Sequence, residues 1–195
     1  MEPNPTSDPV TRALLPALLH EINGATQLLV GLRAVLDLPQ GEGMFAKRAP
    51  DLAETSERVH ELGFAMAVLA TASGADMLMA RRERRGLHVL MDLARRAVSR
   101  VGGAPIEVRG ETPLLRPDVL DGWQVPWAGA ALVALVPGRI WTWEGSRLRG
   151  SAPEAGSAPP DDEVTRLVAV RCPGATLEAD GGDVVWTLPG EWIAD

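Results

Sequence analysis

A long heptad pattern is the feature of this sequence that most limits its possible folds. From residue 15 to residue 36, an apolar side chain recurs without a break at alternating intervals of three and four residues. This spacing is typical of a helix that packs at a shallow angle against other helices in a bundle or coiled coil. Further apolar residues widen the face, which favours a four-helix bundle over a two-stranded coil. The seam positions are Leu15, Leu18, Ile22, Ala25, Leu29, Leu32 and Leu36, and the flanking positions are Leu14, Leu19, Leu28 and Val35.

A second segment repeats the same spacing. Pro39, Gly41 and Gly43 predict a turn after the first helix, because proline cannot continue a helix and glycine favours turns. Two helices with matching seams, joined by a turn, predict an antiparallel helical hairpin over residues 10–82. The second seam comprises Leu52, Thr55, Val59, Leu62, Met66 and Leu69.

One hairpin of this kind exposes a large apolar surface, and two arrangements cover it. In the first, a second copy of the chain completes a four-helix bundle, so that the protein is a homodimer. In the second, the C-terminal half of the same chain covers the hairpin in a monomer. The homodimer completes two matched seams most simply, and it is the arrangement that we predict.

The second half of the chain, residues 86–195, has a different pattern of apolar and turn-forming residues. Short alternating apolar segments are separated by helical patterns and by turns rich in glycine, proline and serine. This order predicts a compact α/β sandwich with helices on one face of a mixed sheet, and therefore an α+β protein overall. The expected elements are a helix at 87–101, a strand at 106–109, a helix at 123–136, strands at 139–143 and 147–149, a helix from 161 to 171, and a hairpin that pairs 175–179 with 183–188.

Charge and composition exclude several classes of function. The net charge of −7 argues against a general nucleic-acid binder, which needs a basic face. A single cysteine, Cys172, allows neither an internal disulfide nor a cysteine cage for a metal, and no apolar run is long enough for a membrane span. We therefore expect a cytoplasmic protein without a metal. The arginines at 81, 82, 84, 85, 95, 96 and 100 form either a docking surface for an acidic protein or a solvated helix face.

Residues 18–23, which include His20, Glu21 and Asn23, resemble the phosphoacceptor box of two-component histidine kinases. In that family a histidine followed by an acidic residue lies in the first helix of a dimerising hairpin. The resemblance continues along the second helix, through residues 86–94, which are similar to the entry of the kinase ATPase domain. It ends with residues 172–189, which are similar to the closing helix and hairpin of that domain.

The C-terminal half departs from the family where ATP binds. The family's ATP-binding helix carries a Glu and an Asn that hold Mg²⁺, and residues 123–134 contain neither. The Asp-x-Gly-x-Gly loop and the glycine-rich lid are also missing, and residues 141–145 and 150–160 occupy their places. Phosphoryl transfer from ATP requires metal to neutralise charge on the phosphates, so these losses argue against kinase activity.

A histidine-kinase architecture that cannot use ATP resembles the bacterial histidine phosphotransferases with a degenerate ATPase-like domain. The resemblance implies a homodimer that relays phosphoryl groups between the aspartates of response-regulator receiver domains, with a hybrid histidine kinase as a further partner. It implies no cofactor on this chain, because the receiver supplies the Mg²⁺. The alternatives are a non-catalytic, pseudokinase-like scaffold that binds a kinase or regulator, and a residual ATP-dependent kinase that uses unfamiliar residues.

The heptad register also indicates where His20 points. It falls at the outermost position of its helix, where it faces solvent or a partner. A neutral imidazole nitrogen is a nucleophile near pH 7, and a partner on the other ring nitrogen fixes its tautomer. Glu21 is the candidate for that partner, and Asn23 or Gln27 for orienting a water or the phosphoryl oxygens. The alternative is that His20 is an ordinary exposed histidine.

Small side chains share the side of the helix on which His20 lies. Two of them are glycines in a helix interior, each of which costs about 1 kcal/mol relative to alanine. Small residues let the backbone of another protein come close to the imidazole. We therefore predict a partner-docking face at Ala17, Gly24, Gln27 and Gly31.

Overall fold

The structure is a computed structural model that describes residues 8–75, 86–100, 106–116, 123–136, 139–151, 162–180 and 182–194. Within those residues the chain forms six α-helices and a mixed sheet of five strands, which confirms the α+β prediction. The helices are α1 (Pro9–Leu36), α2 (Gly41–Lys47), α3 (Ala49–Ala72), α4 (Gly86–Arg100), α5 (Gln124–Leu135) and α6 (Asp162–Arg171). The strands are β1 (Val108–Arg109), β2 (Ile140–Glu144), β3 (Arg147–Ser151), β4 (Thr176–Asp180) and β5 (Asp183–Thr187).

Helix α1 begins at a side-chain cap that also reaches the second half of the chain. The carboxylate of Asp8 accepts a hydrogen bond of 2.7 Å from the backbone amide of Thr11, and Pro9 occupies the first turn. The same carboxylate lies 3.4 Å from the indole Nε1 of Trp127 in α5. The start of α1 is thereby tied to α5.

Helices α1 and α3 pack against each other and run in opposite directions. The hydroxyl of Thr11 lies 3.2 Å from that of Ser73, whereas Glu21 binds Arg58, so later residues of α1 contact earlier residues of α3. The connection differs from the predicted turn, because residues 41–47 form α2. The negative charge of Glu42 in the first turn and the positive charge of Lys47 in the last turn interact favourably with the helix dipole. They stabilise a helix here despite the two glycines.

Helix α1 carries two apolar faces, and the predicted seam mixes them. Leu14, Leu18 and Leu32 are buried against the rest of the chain. Leu15 and Leu29, which belong to the predicted seam, are 43% and 37% exposed. Four of the seven predicted seam residues, Leu18, Ile22, Ala25 and Leu32, therefore face the rest of the chain, while Leu15, Leu29 and Leu36 belong to a second apolar stripe that faces outward.

The sheet has the strand order β1-β2-β3-β5-β4, with β1 parallel to β2 and the other pairs antiparallel. In β2 and β3 alternate residues are buried, as the period of a strand requires, whereas β5 buries three residues in a row. Trp141, Leu148 and Trp186 are fully buried, in the same cluster as Trp127 of α5. The tryptophans thus fill the core between sheet and helices.

The two predicted domains share one hydrophobic core. Leu14 and Val68 of the N-terminal helices belong to the same buried cluster as Leu90 of α4. At the junction, the ring of Phe64 in α3 packs so closely on Gly86 that a larger residue at the start of α4 would require the ring to move. The predicted boundary between residues 82 and 86, like the arginines at 81–85, falls largely outside the described residues.

Candidate functional site

His20 lies exposed on α1, at the rim of an open groove between α1 and α3. The groove has a volume of about 590 Å³. Gly24 and the half-exposed Leu28 continue its α1 wall beyond His20, while Arg58 of α3 and Arg96 of α4 lie at the same groove. No hydrogen bond or ion pair joins the His20 ring to any other described residue.

The predicted docking residues separate into three groups. Gly24 lines the groove, and a Cβ built on it or on Gly31 would meet no atom within 4 Å. Gln27 and Gly31 are exposed on α1 but do not line the groove. Ala17 was predicted on the docking face, and this is wrong: it is 2% exposed and belongs to the buried cluster that includes side chains of α3, α4 and α5.

Asn23 is exposed and lies outside the groove. Three residues separate it from His20, which places the two side chains about 60° apart around the helix. Glu21 lines the groove beside His20, but its side chain binds arginines of α3 and α4 and is only 16% exposed. The phosphoacceptor-like segment therefore projects His20 and Asn23 outward and Glu21 inward.

Three arginines hold the carboxylate of Glu21. One of its oxygens, Oε2, accepts hydrogen bonds from Arg58 at 3.1 Å and from Arg96 at 2.9 Å. The other oxygen accepts one from Arg100 at 2.9 Å. We call these four residues the Glu21 cluster. This arrangement differs from the expected pairing of Glu21 with the His20 imidazole.

The charges around Glu21 change its acidity. Burial acts to raise the pKa of the Glu21 carboxyl, but the hydrogen bond from Arg58 and the charges of Arg96 and Arg100 outweigh it and lower the pKa below 4.5. Glu21 is thus a carboxylate that stays ionised and structurally bound.

The cluster extends along α4 through further ion pairs. Arg96 also binds Asp92, which in turn binds Arg95 at 2.8 Å. Burial acts to raise the pKa of Asp92, but hydrogen bonds and charge from these two arginines lower it. Acidic residues of the chain itself therefore pair with the described part of the predicted basic stretch, which comprises Arg95, Arg96 and Arg100.

Sequence reasoning missed this cluster, although one signal of it was present. Glu21 lies between Leu18 and Ala25 on the inward line of α1, where an acidic residue needs cationic partners. Glu21 was instead expected to pair with the imidazole of His20, so no buried ion pair was predicted for it. Its partners on α4 lie 75 and 79 residues away, too far for periodicity to reveal.

The far wall of the groove is acidic. Asp51, Glu54, Glu57 and Glu61 of α3 line it, and Glu61 is paired with Arg58 at 2.7 Å. Among the described residues, no group of three histidine, cysteine or acidic side chains is arranged to hold a metal ion. In α5, residues 125–133 are all buried.

No helix in the described ranges is both long and apolar enough to cross a membrane. No family model, curated protein or solved structure matches the chain.

Proposed function

We propose that this protein is a histidine phosphotransferase in which His20 accepts a phosphoryl group from one receiver aspartate and passes it to another. The observation that carries the proposal is the setting of His20. Its ring is exposed at the rim of an open groove, beside Gly24, and makes no hydrogen bond to the described residues. A reacting imidazole needs this access, because the donor must approach along the line of the bond that breaks.

The transfer requires one bond to form and one to break. A ring nitrogen of His20 provides the electron pair for the new N–P bond, and the P–O bond to the receiver aspartate breaks, so that the aspartate leaves as a carboxylate. The reverse step delivers the phosphoryl group to a second receiver. The receiver brings the Mg²⁺ that neutralises charge on the phosphoryl oxygens.

The exposed apolar stripe supports a homodimer that leaves His20 accessible. Leu15 and Leu19 of α1 are 43% and 52% exposed, and Val59 and Met66 of α3 are 45% and 48% exposed. Five residues separate Leu15 from His20, which corresponds to about 140° around the helix. At the level of Leu15, a second copy that covers this stripe would therefore lie on a different side of α1 from His20.

The C-terminal half, in this proposal, is a degenerate ATPase-like domain that binds no nucleotide. The helix that would hold Mg²⁺ in a kinase corresponds to α5, whose residues 125–133 are buried and contain no acidic or amide side chain. Residues 125–133 therefore offer no side-chain ligand to a phosphate-bound metal.

A non-catalytic scaffold is the second candidate, and the Glu21 cluster favours it. The acidic residue of the phosphoacceptor-like box is bound by arginines and does not pair with the imidazole. A scaffold needs the groove for binding but does not need His20 to react.

The variant His20→Ala distinguishes the two candidates. We expect it to bind receiver domains as the wild type does but to abolish transfer from one receiver to another and the signalling output. A scaffold would keep both its binding and its signalling output. Circular dichroism and light scattering on the variant establish that the fold and assembly are intact.

A further inference from the structure

The Glu21 cluster joins the two halves of the chain at the residue next to His20. Arg58 belongs to α3, whereas Arg96 and Arg100 belong to α4. We propose that Glu21, Arg96 and Arg100 are positioning residues, through which the C-terminal half holds His20 in the orientation that accepts a phosphoryl group. This inference rests on the proposed function and gives the ATPase-like half a role that needs no nucleotide.

Helix α1 is intrinsically weak around His20. Pro16, four residues before it, has no amide hydrogen and leaves the carbonyl of Arg12 without its helical partner. Gly24, four residues after it, restricts the backbone least of all residues. The helix backbone alone therefore specifies the direction of His20 poorly, and contacts from outside α1 are needed to fix it.

The contacts at Glu21 meet this need. A rotation of α1 about its axis moves Glu21 and His20 together, because they are adjacent on the same helix. Both carboxylate oxygens of Glu21 are bound, and the guanidinium groups come from two different helices. Such a rotation would break charged hydrogen bonds at a carboxylate that is only 16% exposed, so the cluster resists it.

The ring of His20 has no such anchor of its own. It makes no hydrogen bond to the described residues, so its direction follows from the backbone of α1. Arg58 and Arg96 also reach the groove in which a receiver would approach. The cluster therefore lies close enough to His20 to set its orientation, while the imidazole remains free to react.

The test compares Glu21→Gln and Arg100→Gln with Arg95→Gln in the full-length protein. Arg95 is a matched control, because it lies on the same helix and pairs with Asp92 but does not contact Glu21. Arg100 pairs with no acidic group other than Glu21 among the described residues and is 37% exposed, so its loss should not unfold the chain.

Two quantities are measured for each variant. Transfer from phosphorylated receiver domains, followed over a range of receiver concentrations, gives a maximal rate and a half-saturating concentration. We expect Glu21→Gln and Arg100→Gln to lower the maximal rate by about tenfold or more and to leave the half-saturating concentration unchanged, because misplacement of about 1 Å costs up to 10²-fold. Amide hydrogen exchange over residues 17–24 should be about tenfold faster in these variants and unchanged in Arg95→Gln.

Three results would overturn the proposal. Unchanged exchange in both test variants would show that the cluster does not order the His20 segment. A change in the half-saturating concentration alone would show that the cluster is a docking surface. An equal effect of Arg95→Gln would show that the loss of any ion pair on α4 lowers the transfer rate. If the wild type accepts no label at all, the proposed function fails and this inference fails with it, whereas the first three results leave the proposed function standing.

Discussion

At the scale of single residues, neighbouring side chains of α1 perform opposite tasks. His20 faces solvent, while Glu21 faces inward and binds Arg58, Arg96 and Arg100. A helix turns by about 100° per residue, so adjacent positions can face solvent and the interior respectively. In the proposed relay, His20 has the reactive role and Glu21 the structural one. The acidic residue of the box is thus a bridge between helices.

Glu21→Gln should destabilise the protein in a pH-dependent way. The arginines lower the pKa of Glu21, so its ionised form contributes stability above the ordinary value of 4.5, and this contribution is lost as the pH falls through the lowered value. We expect the free energy of unfolding to fall by about 1–3 kcal/mol in the variant at pH 7. Urea unfolding at pH 7 and at roughly pH 3 gives the free energy of unfolding of both proteins. The difference in this free energy between wild type and variant should be smaller at the lower pH. A difference that stays constant with pH would contradict the account.

Gly24→Leu should separate stability from activity. A side chain at this position meets no atom of the chain within 4 Å, and leucine is a better helix former by about 0.8 kcal/mol, so thermal stability should hold or rise. Phosphotransfer to His20 should nevertheless fall sharply, because the new side chain fills the path of the receiver. Gly43→Leu in α2 is the control, since that position is also open and lies outside the groove. Unchanged transfer in Gly24→Leu would show that the receiver docks elsewhere.

At the scale of elements, the sequence predicted those helices and strands whose position depends on a local pattern of residues. Most helices and strands occur where periodicity and turn residues placed them, because the apolar side of each element is encoded at short range. Helix α2 was missed because its two glycines outweighed the dipole-compatible charges of Glu42 and Lys47. Ala17 was misplaced because it is buried in a cluster with side chains of α3, α4 and α5, and no local pattern records how these helices pack on α1.

The exposed stripe on α1 and α3 predicts self-association. Light scattering at micromolar concentration should give about twice the chain mass of 20.8 kDa. The double variant Leu19→Glu and Met66→Glu should give the single chain mass, because burying unpaired carboxylates costs several kcal/mol, and both side chains are about half exposed within one chain. Val170→Glu, at another exposed apolar position, should remain dimeric. A wild-type protein with the single chain mass would contradict the four-helix bundle.

At the scale of the whole molecule, the two predicted domains are physically continuous. Asp8 reaches Trp127, Glu21 reaches Arg96 and Arg100, and one hydrophobic cluster includes side chains from both parts. The C-terminal half is therefore in direct contact with the helix that carries His20. The sequence could not reveal this, because each contact joins residues that are far apart in the chain.

The C-terminal half, which we propose to be a degenerate ATPase-like domain, should bind no nucleotide. Its candidate phosphate-side helix, α5, offers only buried residues between positions 125 and 133, so the Mg²⁺ of a nucleotide complex has no ligand there. Calorimetric titration of the full chain with ATP and Mg²⁺ should show no heat of binding. Clear binding of ATP at micromolar concentration would favour a residual kinase. It would contradict the proposal that the protein relays phosphoryl groups without binding a nucleotide.

The most direct test of the central claim is whether phosphate reaches His20. The protein is incubated with receiver domains that carry a labelled aspartyl phosphate, and the label on this chain is analysed for its stability in acid and base. We predict a label that is lost in acid and kept in base, that is absent from His20→Gln and that persists in His60→Gln, where an exposed histidine of α3 is replaced. No label on the wild type, or an undiminished label on His20→Gln, would contradict the account.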